Sequence, residues 1–163
     1  MNITIICIGK LKDKFFKEAS SEYEKRLGPF CKLEIIEINP APLPDSPNEA
    51  QIAAGLEKEA ELILKKIPPN ALGYALCVEG KQLSSEELAA ELGAELGAAA
   101  LSGSGKICFI IGGSHGLAER VKAAANARLS MSKMTFPHRL ARIMLLEQIY
   151  RAFMINAGTA YHK

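Results

Sequence analysis

The chain has 163 residues, 48% of them apolar and 23% charged, with a formal net charge of +2. That length suits one domain, 1–163, with a sizeable core, and the charged fraction is that of an ordinary soluble protein. No apolar run approaches a membrane span, and the opening MNITIICIGKLKDK has neither the charge order nor the cleavage site of a signal peptide, so a cytosolic protein is expected.

Residues 2–9, NITIICIG, read as a strand buried on both faces, because β-branched and apolar residues follow one another without alternation. Phe15, Phe16, Ala19, Tyr23 and Leu27 then recur at helical spacing over 12–27, and Gly28-Pro29 stops that helix. CKLEIIEI, 31–38, alternates like a strand with one wetter face. The proline-rich loop 39–48 ends in Ser46-Pro47-Asn48-Glu49, read as a capping box with proline at the first helical position, and the next helix should run to Lys66. GYALCVEG, 73–80, is a strand. Ser84-Ser85-Glu86-Glu87 is a second capping box, opening a helix to about Leu96 before a glycine-heavy frayed end and loop. KICFII, 106–111, is a strand, 117–125 a short helix, and ARLSMSKMTFPH a strand giving way to irregular chain. Pro137 opens a long helix to about Asn156, followed by the tail AGTAYHK. Strands alternating with helices predict an α/β fold, a mostly parallel sheet with helices on both faces. The last helix is apolar nearly all round, which in so small a chain predicts a homodimer through the C-terminal helix.

The modest net charge conceals an asymmetry: residues 1–32 carry +3, 33–70 carry −4, 71–105 carry −4 and 106–163 carry +7. A basic C-terminal third suits an anionic partner such as nucleic acid; the plain alternative is a solvated face. Cys7, Cys31, Cys77 and Cys108 form no CxxC pair and read as small buried hydrophobes. His115, His138 and His162 lack metal-ligand spacing, and no metal is expected.

The turn Gly112-Gly113-Ser114-His115-Gly116 follows a strand, yet it is neither the dinucleotide fingerprint nor a Walker loop. Adjacent glycines let backbone pass close to a ligand or to another stretch of chain, and the pattern leaves both open. There is no nucleophile elbow, and Ser130, Ser132 and Thr135 lack an activating partner, so a reactive group would arrive on a cofactor.

FIIGGSHGL, LSMSKMTFPHRLARIMLLEQIYRAF and the terminal YHK together resemble the ribosomal RNA large-subunit methyltransferase H family of the SPOUT superfamily. The likeness runs through ITIICIGKLKDKF and EYEKRLGPF and covers the whole chain. It implies a C-terminal trefoil knot and methylation of N3 of a pseudouridine in 23S ribosomal RNA, on the assembled ribosome, with S-adenosyl-L-methionine. Carried over by position, it implies a cofactor cleft of Leu76, Gly112, Met131, Ser132, Lys133, Met134, Thr135 and Phe136, for several of which plain core packing is the alternative. Gly113 and Gly116 read as conformational. His138, Arg142, Tyr161, His162 and Lys163 are implied in RNA binding and catalysis, with His162 and His138 the candidates for relieving N3 of its proton. Arg142, on an apolar helix, must be paired or useful. Arg151, four residues after Glu147, reads as a structural pair, and Lys10, Lys12, Lys14, Lys25 and Arg26 are candidate phosphate contacts. The competing readings are a ribosome-associated RNA-binding factor without chemistry, a SPOUT enzyme acting on another RNA, and a nucleotide-dependent oxidoreductase.

Overall fold

A computed structural model describes residues 1–102 and 105–161. Its elements, in chain order, are β1 (Asn2–Ile8), α1 (Lys14–Leu27), β2 (Lys32–Ile38), α2 (Glu49–Leu64), β3 (Leu72–Gln82), α3 (Ser85–Ser102), β4 (Lys106–Ile111), α4 (Glu119–Ala124), β5 (Ala127–Ser130) and α5 (His138–Asn156). The five strands form one sheet in the order β2-β1-β4-β3-β5, and every neighbouring pair is parallel. The expected α/β alternation is therefore present, because each parallel pairing needs a crossover long enough to hold a helix.

β1 and β4 lie in the middle and are buried on both faces, which explains their unbroken apolar runs. Ile3, Ile5 and Cys7 face a core shared with α1, α3 and α5, whereas Ile6 and Ile8 face a core shared with α2 and α4. Successive β1 residues thus serve opposite layers, as a pleated strand requires.

Several helix boundaries shift from expectation, most by a residue or two, and two of the differences have a visible cause. The N-cap of α2 is Asn48, not Ser46: its Oδ1 accepts from Gln51 N at 2.9 Å while Gln51 Oε1 accepts from Asn48 N at 2.9 Å. Pro47 therefore precedes the cap instead of starting the helix. α3 does not end at Leu96 but runs to Ser102. Gly93 is no breaker there, because it faces α5: a side-chain carbon on it would lie 3.1 Å from Asn156 Oδ1, and Asn156 Nδ2 donates to the Ala89 carbonyl at 2.8 Å. The other capping box holds, with Glu87 N donating to Ser84 Oγ at 3.1 Å and Ser84 N to Glu87 Oε2 at 2.7 Å.

α5 lies against the sheet with α1 and α3 packed against it. Leu145, Leu146, Ile149 and Ala152 are wholly buried within the one chain. The apolar girth that suggested a subunit interface is thus largely consumed by intrachain packing. Cys7, Cys31 and Cys108 are buried as expected, and burial pushes their thiols up to about 12, about 11 and about 12, which keeps them protonated.

Candidate functional site

Leu76 of β3, just before its irregularity, Ile111 at the end of β4 and Leu129 near the end of β5 are paired level with one another across the sheet. Beyond them opens a cleft of about 870 Å³, within the range of small-molecule sites, and this is where open parallel sheets hold ligands. Three stretches of chain wall it: the glycine turn after β4, residues 131–137 after β5 continuing into the start of α5, and an excursion within β3. Phe16 reaches it from α1.

The excursion is visible in the pairing register, where both Leu76 and Lys81 of β3 pair with Leu129 of β5. The intervening Cys77, Val78 and Glu79 line the cleft. Lys122 of α4 holds the excursion by an ion pair to Glu79, and that hydrogen bond keeps the Glu79 carboxyl below the usual carboxylate range. Cys77, expected in the core, is only half-buried and faces the cleft.

At the glycine turn, Gly112 is buried and has no room for a side chain. A Cβ there would lie 2.2 Å from the Gly116 carbonyl oxygen and 3.0 Å from Leu117 Cγ. Gly116 takes φ +80, the left-handed conformation that glycine tolerates, and its N–H donates to the Gly113 carbonyl at 3.1 Å. The glycines therefore make room first for their own chain, and the tight turn thus formed becomes one wall of the cleft. On its other side lies a smaller cavity of about 200 Å³, where Ala41 N donates to Glu59 Oε1 at 2.9 Å and burial pushes the Glu59 carboxyl up.

The opposite wall depends on side chains. Ser130 Oγ donates to the Ser132 carbonyl at 2.9 Å, and Met134 N donates to Ser132 Oγ at 3.0 Å. This local turn presents Met131, Ser132, Met134, Thr135 and Phe136 to the cleft, with Met134 71% exposed. Lys133 is exposed and is not among the residues lining the cleft.

His138 lines the cleft at the first residue of α5. The β1–α1 loop passes close to it: a Cβ on Gly9 would sit 3.2 Å from His138 Nε2. Burial, reinforced by the Arg139 guanidinium, holds His138 below the ordinary histidine value of 6.5, so the ring is neutral at neutral pH. Arg139, not singled out in the sequence, also lines the cleft and donates to Asp13 Oδ2 at 2.7 Å. Its only signal was adjacency to His138.

Arg142 lies elsewhere. It is 6% exposed, donates to Glu37 Oε1 at 2.6 Å, and does not line the cleft. The pair anchors the first turns of α5 to β2, one of the two roles open to a cation on an apolar helix. Tyr161 is also remote from the cleft. Its ring packs edge-on to Tyr150 at 5.1 Å, its hydroxyl donates to Glu147 Oε1 at 3.3 Å, and Arg151 covers it at 4.8 Å. Glu147 is nine residues beyond His138, about 13 Å along the helix axis. Arg151 pairs with Glu147 at 2.5 Å, the structural pair expected from their spacing. His162 and Lys163 lie outside the described residues.

A parallel sheet whose strand-end cleft is bounded by a tight glycine turn and an SxSxMTFPH segment marks a class of methyltransferase, and the chain belongs to the SPOUT methyltransferase family. A model of that family, described as "Predicted SPOUT methyltransferase", matches residues 1–162. The chain is 52% identical over 163 residues to a protein of Clostridium novyi (strain NT) named "Ribosomal RNA large subunit methyltransferase H", with the full length of each chain covered. Among the described residues no helix is long and apolar enough to cross a membrane, and no three metal-ligating side chains gather.

Proposed function

We propose that the protein methylates N3 of a pseudouridine in 23S ribosomal RNA, on the assembled ribosome in the cytoplasm, with S-adenosyl-L-methionine as methyl donor. The observation that carries this reading is the convergence of the glycine turn and residues 131–137 on one cleft, in a chain similar over its full length to a ribosomal RNA methyltransferase. The whole chain is read as one domain, with the C-terminal trefoil knot of its family.

The residues present fit the cofactor. Leu76, Ile111, Leu129, Met131 and Phe136 offer apolar surface for an adenine, while the backbone at Gly112 and along 131–136 offers donors and acceptors for its edge. Lys133 is left to contact solvent or RNA. When bound, S-adenosyl-L-methionine supplies a methyl group already activated by its sulfonium. The protein's tasks are to hold the acceptor in line and to relieve N3 of its proton. Neutral His138 can accept that proton at Nε2 or Nδ1, and Arg139 beside it can stabilise the anion that develops on the base. Arg142, buried against Glu37, acts by positioning: it keeps the start of α5, and hence His138, at the cleft.

Tyr161, packed on Tyr150 and bonded to Glu147, sits too far from the cleft of its own chain to serve it. A reaction that uses both His138 and Tyr161 draws them from two copies, with the exposed Leu140 and half-buried Met144 of α5 in the contact of a homodimer. Mixing His138→Ala and Tyr161→Ala variants, each inactive alone, then restores activity. No recovery in a mixture shown to exchange subunits rejects the shared site.

The decisive test is transfer of labelled methyl from S-adenosyl-L-methionine to ribosomes lacking this modification, beside ribosomes that also lack the pseudouridine. Label entering 23S RNA only in the first supports reaction and target together. Label in neither, with cofactor bound, moves the reading to another RNA or to a factor without chemistry. In the active case, turnover falls on the acid side below pH 6.5 as His138 becomes protonated, and His138→Gln lowers kcat by about 10²–10⁴ with cofactor affinity unchanged.

A further inference from the structure

We infer that Phe15 and Phe16, with the lysines around them, form a stacking platform at the mouth of the cleft for an unpaired RNA base neighbouring the one that is modified. The inference rests on the function proposed above.

The segment KLKDKFFK, residues 10–17, carries four lysines and one aspartate around two phenylalanines. Its position at the site is fixed by three contacts. Gly9 turns against His138, Leu11 is buried, and Asp13 accepts the Arg139 guanidinium at 2.7 Å. The single acidic group is therefore engaged with the cleft, while Lys10, Lys12, Lys14 and Lys17 are all exposed. Lys14 approaches Glu18 only at 3.7 Å, with both side chains well solvated, a pairing too weak to withhold it from a phosphate.

The aromatic pair has no comparable folding role. Phe16 lines the cleft, its ring centroid lies 4.2 Å from that of Phe15, and Phe15 is 63% exposed. Met134, on the same cleft, is 71% exposed, so the mouth presents apolar surface in a chain segment flanked by exposed lysines. A lone exposed apolar residue is unremarkable; flat rings joined to a cleft and flanked by lysines match single-stranded RNA, whose bases stack on aromatics while its phosphates meet cations. Charge complementarity favours this occupant over an apolar protein surface. Phenylalanine offers no hydrogen bond to a base edge, so the platform tolerates different bases and acts by placing the strand.

The test compares Phe15→Ala and Phe15→Trp in the full chain. Phe15 is exposed, so both should fold, which cofactor affinity within two-fold of the parent would verify. Phe15→Ala should raise KM for ribosomes by about ten-fold or more while kcat changes little, and Phe15→Trp should restore it. A short single-stranded RNA carrying 2-aminopurine reads stacking directly: its fluorescence should be quenched by the parent and by Phe15→Trp, not by Phe15→Ala. Lys12→Gln should flatten the salt dependence of that binding by about 0.7 in log–log slope. An unchanged KM and unchanged quenching with Phe15→Ala overturn the platform. So does a Phe15→Ala variant that changes oligomeric state instead, since the face would then be a contact between copies. Should the parent fail to methylate ribosomes, the assigned target falls, and the 2-aminopurine measurement still decides the platform.

Discussion

Residues 112–117 wall the cleft with a turn closed on its own backbone, while residues 131–137, across from them, are held by hydrogen bonds through serine side chains. The glycine turn is locked by its own geometry, with backbone atoms so close to Gly112 that a single methyl group has nowhere to go. The second wall is held by two hydrogen bonds through serine hydroxyls and leaves Met134 mostly in solvent. The difference teaches how one site combines fixed placement with accommodation. The backbone wall sets where the cofactor can lie, and the side-chain wall can adjust as cofactor and RNA enter.

Gly112→Ala should break the first wall outright. The added carbon would lie 2.2 Å from the Gly116 carbonyl oxygen, so the turn must open, at about 3 kcal/mol or more of stability. Thermal unfolding and cofactor titration should both show the loss, and a variant of parental stability that still binds would mean the turn is not rigid. Gly116→Ala is milder, because nothing lies within 4 Å of the new carbon and only the left-handed φ is penalised, by about 1–2 kcal/mol. Ser132→Ala removes the acceptor for Met134 N and should cost about 1 kcal/mol, read by denaturant unfolding, with cofactor affinity several-fold weaker. Met134→Ala should leave stability within about 0.5 kcal/mol, yet weaken cofactor binding measured by calorimetry. If Met134→Ala destabilises as much as Gly112→Ala, the two walls do not differ in kind.

The same contrast separates what was readable in the sequence. Gly112 and Gly116 announce themselves, because clustered glycines after an apolar strand signal a tight turn or a close approach of backbone. Which of the two needs positive φ and which needs space is invisible without coordinates. Leu76, Met131 and Phe136 look like any core residue: apolarity records that a side chain leaves water, not what it leaves water for. Nothing local distinguishes Arg139 from Arg142, three residues on. Only the packing of α5 turns one toward the cleft and the other toward Glu37. The excursion in β3 was equally hidden, since Cys77, Val78 and Glu79 read as ordinary strand and their departure from the ladder exists only relative to β5.

By itself, the sequence determined the succession of elements, the parallel class of the sheet and the place of the tight turn, because periodicity, caps and glycine are local signals. The tertiary structure alone decided the strand order, the burial of α5 between α1 and α3, and the gathering of distant stretches of chain around one cleft. These depend on contacts between residues far apart in the chain, such as Asp13 with Arg139, 126 positions on, and no local pattern encodes which distant partner a side chain will meet.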